Sequence, residues 1–200
     1  MTAVPIVLAS GSKARARLLR AAGVTVEAVP PRVDEEGLKA ALLADGARPR
    51  DLADGLVEAK ARKVASRRPE AVVIGGDQVL EVDGEVLSKP GTPEEALSQI
   101  GRLAGRTHRL LSAAVAYRGG APVWRHVSIA TLTMRQPSRD WLAGYVERNW
   151  NDIRHSIGGY LIEAEGARLF AEVRGDPFTI QGIPLIPLLN WLTIAGHIDG

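Results

Sequence analysis

No cysteine occurs in the 200 residues, which removes disulfides, thiolate metal sites and a cysteine nucleophile together. Aromatic residues make up only 4%, too few for the stacking platforms of a single-strand nucleic-acid binder. Charge of one sign is scarce as well. The 25 Lys and Arg against 23 Asp and Glu leave +2, far from the basic excess of a nucleic-acid-binding chain. No apolar run approaches the ~20 residues of a membrane-spanning helix, and the amino terminus lacks the basic-then-apolar layout of a secretory signal. The four histidines have no metal-ligand spacing between them. These absences leave a cytoplasmic, globular chain with no membrane or nucleic-acid partner, in which a metal would have to be held by oxygen.

Hydrophobic residues at 46% suffice for one sizeable core or two small ones. The chain is organised around residues 6–19. Ile6-Val7-Leu8-Ala9 reads as a short buried strand, Ser10-Gly11-Ser12 as a turn, and Lys13 opens a helix. Ser10 and Ser12 are both candidate N-caps. Lys13, Arg15 and Arg17 are cations in or beside the first turn, where the helix dipole disfavours them. A phosphate would explain them; so would an ordinary capped surface helix, because no Gly-Lys-Ser/Thr closes a phosphate loop here. Leu18, Leu19 and Ala22 are expected to face inward.

Further along, residues 24–29 read as a second strand. Asp34, Glu35 and Glu36 follow it, either as a solvated loop or as metal ligands. Residues 49–67 read as a helix whose apolar stripe includes Lys60, so Lys60 either snorkels to water or reaches across to an anion. An apolar strand over residues 71–74 leads to Gly75-Gly76-Asp77-Gln78. Asp83-Gly84 then predicts a two-residue hairpin turn, in a register that sets Val82 against Glu85, Leu80 against Leu87 and Gln78 against Lys89. Asp77 and Lys89 would meet at its open end, as an ion pair or as a site with two glycines that allow a ligand to approach.

Thr92-Pro93-Glu94-Glu95 is a capping box with proline at the first helical position. A hairpin is expected over residues 110–133, turning at Arg118-Gly119-Gly120, and a helix over 138–149. Gly158 to Glu163 reads as a glycine-led strand, residues 167–173 as another, and residues 185–192 as a final amphipathic helix. Interleaved strands and helices make this α/β, one domain over 1–200 with two lobes.

Taken together, the motifs resemble those of the Maf family of nucleotide pyrophosphatases over nearly the whole chain. The residues that carry the likeness are Leu8 to Arg15, Val33-Asp34-Glu35, Lys60-Ala61, Gly76-Asp77, Ser88-Lys89-Pro90, Leu103 to His108, Gly158-Gly159-Tyr160 and Gly182-Ile183-Pro184-Leu185, in the family's order. The opening departs at Lys13, where proline is usual, and at Ala14, where many members carry an arginine. The resemblance implies a two-lobed mixed sheet flanked by helices, like inosine triphosphate pyrophosphatases, with the active-site cleft between the lobes. It also implies hydrolysis of a nucleoside triphosphate to the monophosphate and pyrophosphate, as nucleotide-pool house-cleaning, with Mg²⁺ or Mn²⁺. On that basis Asp77, Lys60 and Lys89 are the catalytic candidates. Ser10, Ser12, Arg15, Gln78 and Glu163 would bind substrate, and Glu35 with Asp77 would hold the metal.

Gln78 and Glu163 resemble the branch that hydrolyses 7-methyl-GTP. Guanine offers two adjacent donors that a carboxylate can accept together. A pyrimidine (dTTP or UTP) pyrophosphatase is the alternative, and a non-enzymatic regulator of septum formation the rival from another class. A homodimer is left open.

Overall fold

The computed structural model describes residues 4–199. One seven-stranded mixed sheet runs in the order β2-β1-β3-β5-β6-β7, with β4 paired to β3. The chain forms two compact units. The first comprises residues up to Gln78, Leu111–Ser128 and the stretch from Pro177 onward; the second comprises Val79–Leu110 and Ile129–Asp176.

In the first unit, β1 (Ile6–Ala9) pairs in parallel with β2 (Glu27–Ala28) on one side and with β3 (Val72–Val82) on the other. The chain leaves β1 through α1 (Lys13–Ala21) toward β2, then returns through α2 (Glu35–Ala44) and α3 (Pro49–Ala65) to β3. Right-handed crossovers in opposite directions put α1 and α3 on opposite faces. The burial pattern agrees. Ile6, Leu8, Val72 and Ile74 pack with Leu18 and Leu19 of α1 and with Leu188 and Leu192 of α7 (Leu185–Ile194). The alternate residues of β3 face α3, whose Leu52, Leu56, Val57 and Ala61 are buried.

Gly75 makes that second contact possible. A Cβ there would lie 2.8 Å from the Val57 carbonyl oxygen and 2.9 Å from the Ala61 Cβ, so α3 packs on bare backbone. Gly75→Ala is therefore expected to cost about 1–3 kcal/mol, as overpacking does, and to lower the melting temperature by several degrees. Gly101 lies inside α4 (Pro93–Leu103), where a Cβ meets nothing within 4 Å. Gly101→Ala should instead stabilise by roughly 0.5–1 kcal/mol. Thermal unfolding of the two variants separates the cases, and equal shifts would contradict the packing argument.

The second unit holds β4 (Glu85–Leu87), α4, α5 (Arg139–Ile153) and β7 (Phe170–Arg174). The Asp83-Gly84 turn gives the expected register, with Val82 opposite Glu85 and Leu80 opposite Leu87. Thr92 caps α4 by accepting from the Glu95 N–H at 3.2 Å, while the Glu95 carboxylate reaches back to the Gly91 N–H at 2.6 Å. Buried His108 contacts the Tyr160 hydroxyl through Nε2 at 2.7 Å. Its burial pulls the imidazole down to about 4, so it is neutral at physiological pH. β5 (Thr107–Arg118) and β6 (Ala121–Met134) turn at Gly119-Gly120 and are divided between the units.

Several expectations are corrected. The second strand shrinks to Glu27–Ala28. Ala22 is exposed at the C-cap of α1. α2 begins straight after Asp34, whose carboxylate accepts from the Gly37 N–H at 3.0 Å. The two glycines do not break β3, because the strand's neighbours fill the space their side chains leave. Gly158 to Glu163 is no strand. Gly158 and Gly159 have φ of 80° and 70°, values extended backbone excludes, and Glu163 lies exposed in a turn between two short 3₁₀ helices, Ile157–Gly159 and Glu165–Leu169.

Candidate active site

The cluster sits where β1 ends beside the middle of β3, at the switch point from which the chain departs in opposite directions. That is the usual ligand position in open α/β sheets. Strand alternation sets its layout. Asp77 shares a face of β3 with Gly75, toward α3, while Gly76 and Gln78 face α1.

On the α3 side, Lys60 enters from the buried stripe of the helix and is 5% exposed. Its ammonium donates to Asp77 Oδ1 at 2.8 Å and to Glu35 Oε2 at 2.6 Å. Glu35 reaches the cluster because Asp34 caps α2 and makes Glu35 its first residue. The Asp77 side chain is 10% exposed and that of Glu35 49%, so one carboxylate is shielded and the other is open to solvent. Two carboxylates on one cation leave a net negative pair with free oxygens. A pocket of about 450 Å³ lined by Arg32, Asp34, Ala59, Arg62 and Lys63 among others includes none of these three side chains.

On the α1 side, Arg15 crosses β3 at Gly76, where a Cβ would stand 2.9 Å from its Cδ. Its Nε donates to the Gly182 carbonyl at 2.6 Å and its Nη1 to Ser10 Oγ at 3.0 Å. Ser10 Oγ also accepts from the Ser12 N–H at 3.2 Å, and Ser12 Oγ caps α1 through the Arg15 N–H at 3.4 Å. Burial lowers the Arg15 guanidinium from its ordinary value, opposed by the charges of Asp77 and Glu35; it stays cationic. No acceptor for Nη2 is found among the described residues.

The structure thus brings together Glu35, Lys60 and Asp77, and separately Ser10, Ser12 and Arg15, which lies within electrostatic reach of both carboxylates. Lys89 belongs to the second unit. It is exposed and lies beyond β4, whose ladder ends at Leu87. Glu163 also belongs to the second unit. The Gln78 amide nitrogen is spent on protein: Ser112 Oγ at 3.1 Å and the Thr179 and Ile180 carbonyls, each at 3.0 Å. Gly75 and Gly76 admit a helix and an arginine, where the sequence suggested a ligand. The Gly182 carbonyl was legible only as part of a motif, and Ser112 and Thr179 gave no signal at all.

Among the described residues no group of three His, Cys, Asp or Glu side chains could hold a metal. The donor set still fits a hard divalent cation, since such ions at phosphate-transfer sites are commonly held by one or two carboxylates plus substrate phosphates. Among the described residues, too, no helix is long and apolar enough to cross a membrane.

The Maf-like protein family model matches residues 5–195. A nucleoside triphosphate pyrophosphatase of Ruegeria pomeroyi is 54% identical, with 98% of each chain covered. A 7-methyl-GTP pyrophosphatase of Mesorhizobium japonicum is 47% identical, again with 98% of each covered. Among solved structures, a nucleoside-triphosphatase (dITP/XTP pyrophosphatase) of Mycobacterium abscessus matches 98% of each chain at 16% identity, with a TM-score of 0.39.

Proposed function

Because the chain belongs to the Maf-like family and is a nucleoside triphosphate pyrophosphatase, we propose that Asp77 directs water onto the α-phosphorus of a triphosphate held by the first unit. The observation that carries this is the grip of one buried ammonium, Lys60, on both Asp77 and Glu35 beside the guanidinium of Arg15. Arg15 and Ser10 bind phosphate oxygens, aided by the open N–H groups at the start of α1. Lys60 holds the Asp77 carboxylate in place, and Asp77 orients the water and accepts its proton. Charge developing on the α-phosphate oxygens and on the departing pyrophosphate meets fixed cations, Arg15 and Lys60, with Lys89 as a further candidate from the second unit. A divalent cation held by Glu35 and Asp77 would supply neutralisation of the phosphate charge. No covalent intermediate is required.

For the base, the reading is 7-methyl-GTP. Glu163 is an exposed carboxylate on a turn, able to accept from the ring N–H and exocyclic amine of guanine together. It also favours the positive imidazole ring of the methylated base. The Mesorhizobium relative bears the matching name. We expect kcat/KM for 7-methyl-GTP to exceed that for GTP, UTP and dTTP, and Glu163→Gln to erase the preference. A wild type that prefers UTP or dTTP, or a ranking that Glu163→Gln leaves intact, would select the pyrimidine reading.

A further inference from the structure

Gln78 stands next to the catalytic candidate in sequence, which invites a role in reading the base. Its bonds point elsewhere. The amide nitrogen faces three acceptors, Ser112 Oγ and the carbonyls of Thr179 and Ile180. Ser112 Oγ in turn donates to the Thr179 carbonyl at 2.7 Å. Ser112 and Thr179 are fully buried. These bonds tie β3 and β5 to α6 (Pro177–Ile180), a single short turn with little stability of its own. Two residues beyond α6 the chain reaches Gly182, at φ 101°, whose carbonyl takes the Arg15 Nε at 2.6 Å. Gly182 also lacks the Cβ that would stand 3.3 Å from Arg15 Nη2.

We infer that Gln78 is a positioning residue for Arg15. It fixes the α6 turn, the turn fixes the Gly182 carbonyl, and that carbonyl together with Ser10 fixes the plane of the guanidinium. The inference rests on the reading of Arg15 as a triphosphate ligand. A guanidinium gripped at Nε and Nη1 can present its remaining N–H groups in only one plane, so a shift of the turn re-aims the whole fork. Gln78 then acts on the part of the substrate that all nucleoside triphosphates share, and it leaves discrimination among bases untouched.

The test is a double-mutant cycle of Gln78→Leu and Arg15→Ala, with kcat and KM measured for 7-methyl-GTP, GTP, UTP and dTTP. Gln78→Leu keeps the bulk and removes the amide. We expect kcat/KM to fall roughly 10- to 10²-fold, the scale of an ångström-sized misplacement, by the same factor for every nucleotide. In the Arg15→Ala background the same change should cost little more. Nitrogen-15 spectra of the arginine side chains give an independent readout: the Arg15 Nε–H, protected from exchange by Gly182 in the wild type, should lose protection in Gln78→Leu. Should that variant not fold, Ser112→Ala removes one link of the same anchor and must show the same base-independent loss. A base-dependent loss additive with Arg15→Ala overturns the inference in favour of base contact. So does a protected Arg15 Nε–H in a variant that has lost activity. If Arg15→Ala itself leaves kcat/KM unchanged for all four nucleotides, the triphosphate reading has failed, and the inference falls with it by a signature of its own.

Discussion

Asp77→Asn is expected to keep the fold and to lower kcat roughly 10²- to 10⁴-fold, the span that a positioned acid or base commonly contributes. The substitution is close to isosteric, and its amide oxygen can still accept from Lys60, which also keeps Glu35. Lost are the ability to take a proton and the charge offered to a cation. Asp77 is 7% exposed, so bulk water is poorly placed to substitute. KM should move much less than kcat, because Arg15 and Ser10, the proposed phosphate ligands, are untouched. Single-turnover hydrolysis with circular dichroism as the folding control measures this. Near-normal turnover in Asp77→Asn would remove Asp77 from the chemistry.

Lys60→Met is expected to lower kcat/KM about 10²- to 10³-fold, as loss of one preorganised electrostatic group does. The side chain replaces an ammonium by a thioether of similar length within the apolar stripe of α3. Asp77 and Glu35 then face each other without the cation between them. Asp77 loses the contact that aims it, and the developing phosphate charge loses a fixed cation. The stability loss should fall below the ~3–5 kcal/mol typical of a broken buried pair, since the Glu35 side chain is 49% exposed and water can solvate it. A variant that loses stability but keeps near-normal kcat would mean that Lys60 is only a structural tie.

What could be read in the chain and what could not follow from the range of the interactions. Local signals were dependable: the Thr92 cap, the Asp83-Gly84 register and the place of Lys60 on the buried stripe are all settled within a few residues. The partners of Lys60 are not local. Asp77 is 17 residues away and Glu35 is 25, and only the order β2-β1-β3 brings their strands and helices to one end of the sheet. α2 gives little sequence signal because it buries no residue fully, leaving the apolar period faint. Gly158-Gly159 reads as a strand in the sequence because glycine fits a strand and a left-handed turn alike. Gln78 carried a family association with the base, while its hydrogen bonds reach across 101 and 102 residues, beyond anything spacing reveals.

Water attacking the α-phosphorus of a triphosphate under the control of Asp77 leaves an isotopic signature. Hydrolysis in ¹⁸O-labelled water, followed by ³¹P NMR of the products, reads it. Pyrophosphate should be the inorganic product, with the label in the nucleoside monophosphate. Label in the pyrophosphate, or orthophosphate as the primary product, would rule out attack at the α-phosphorus.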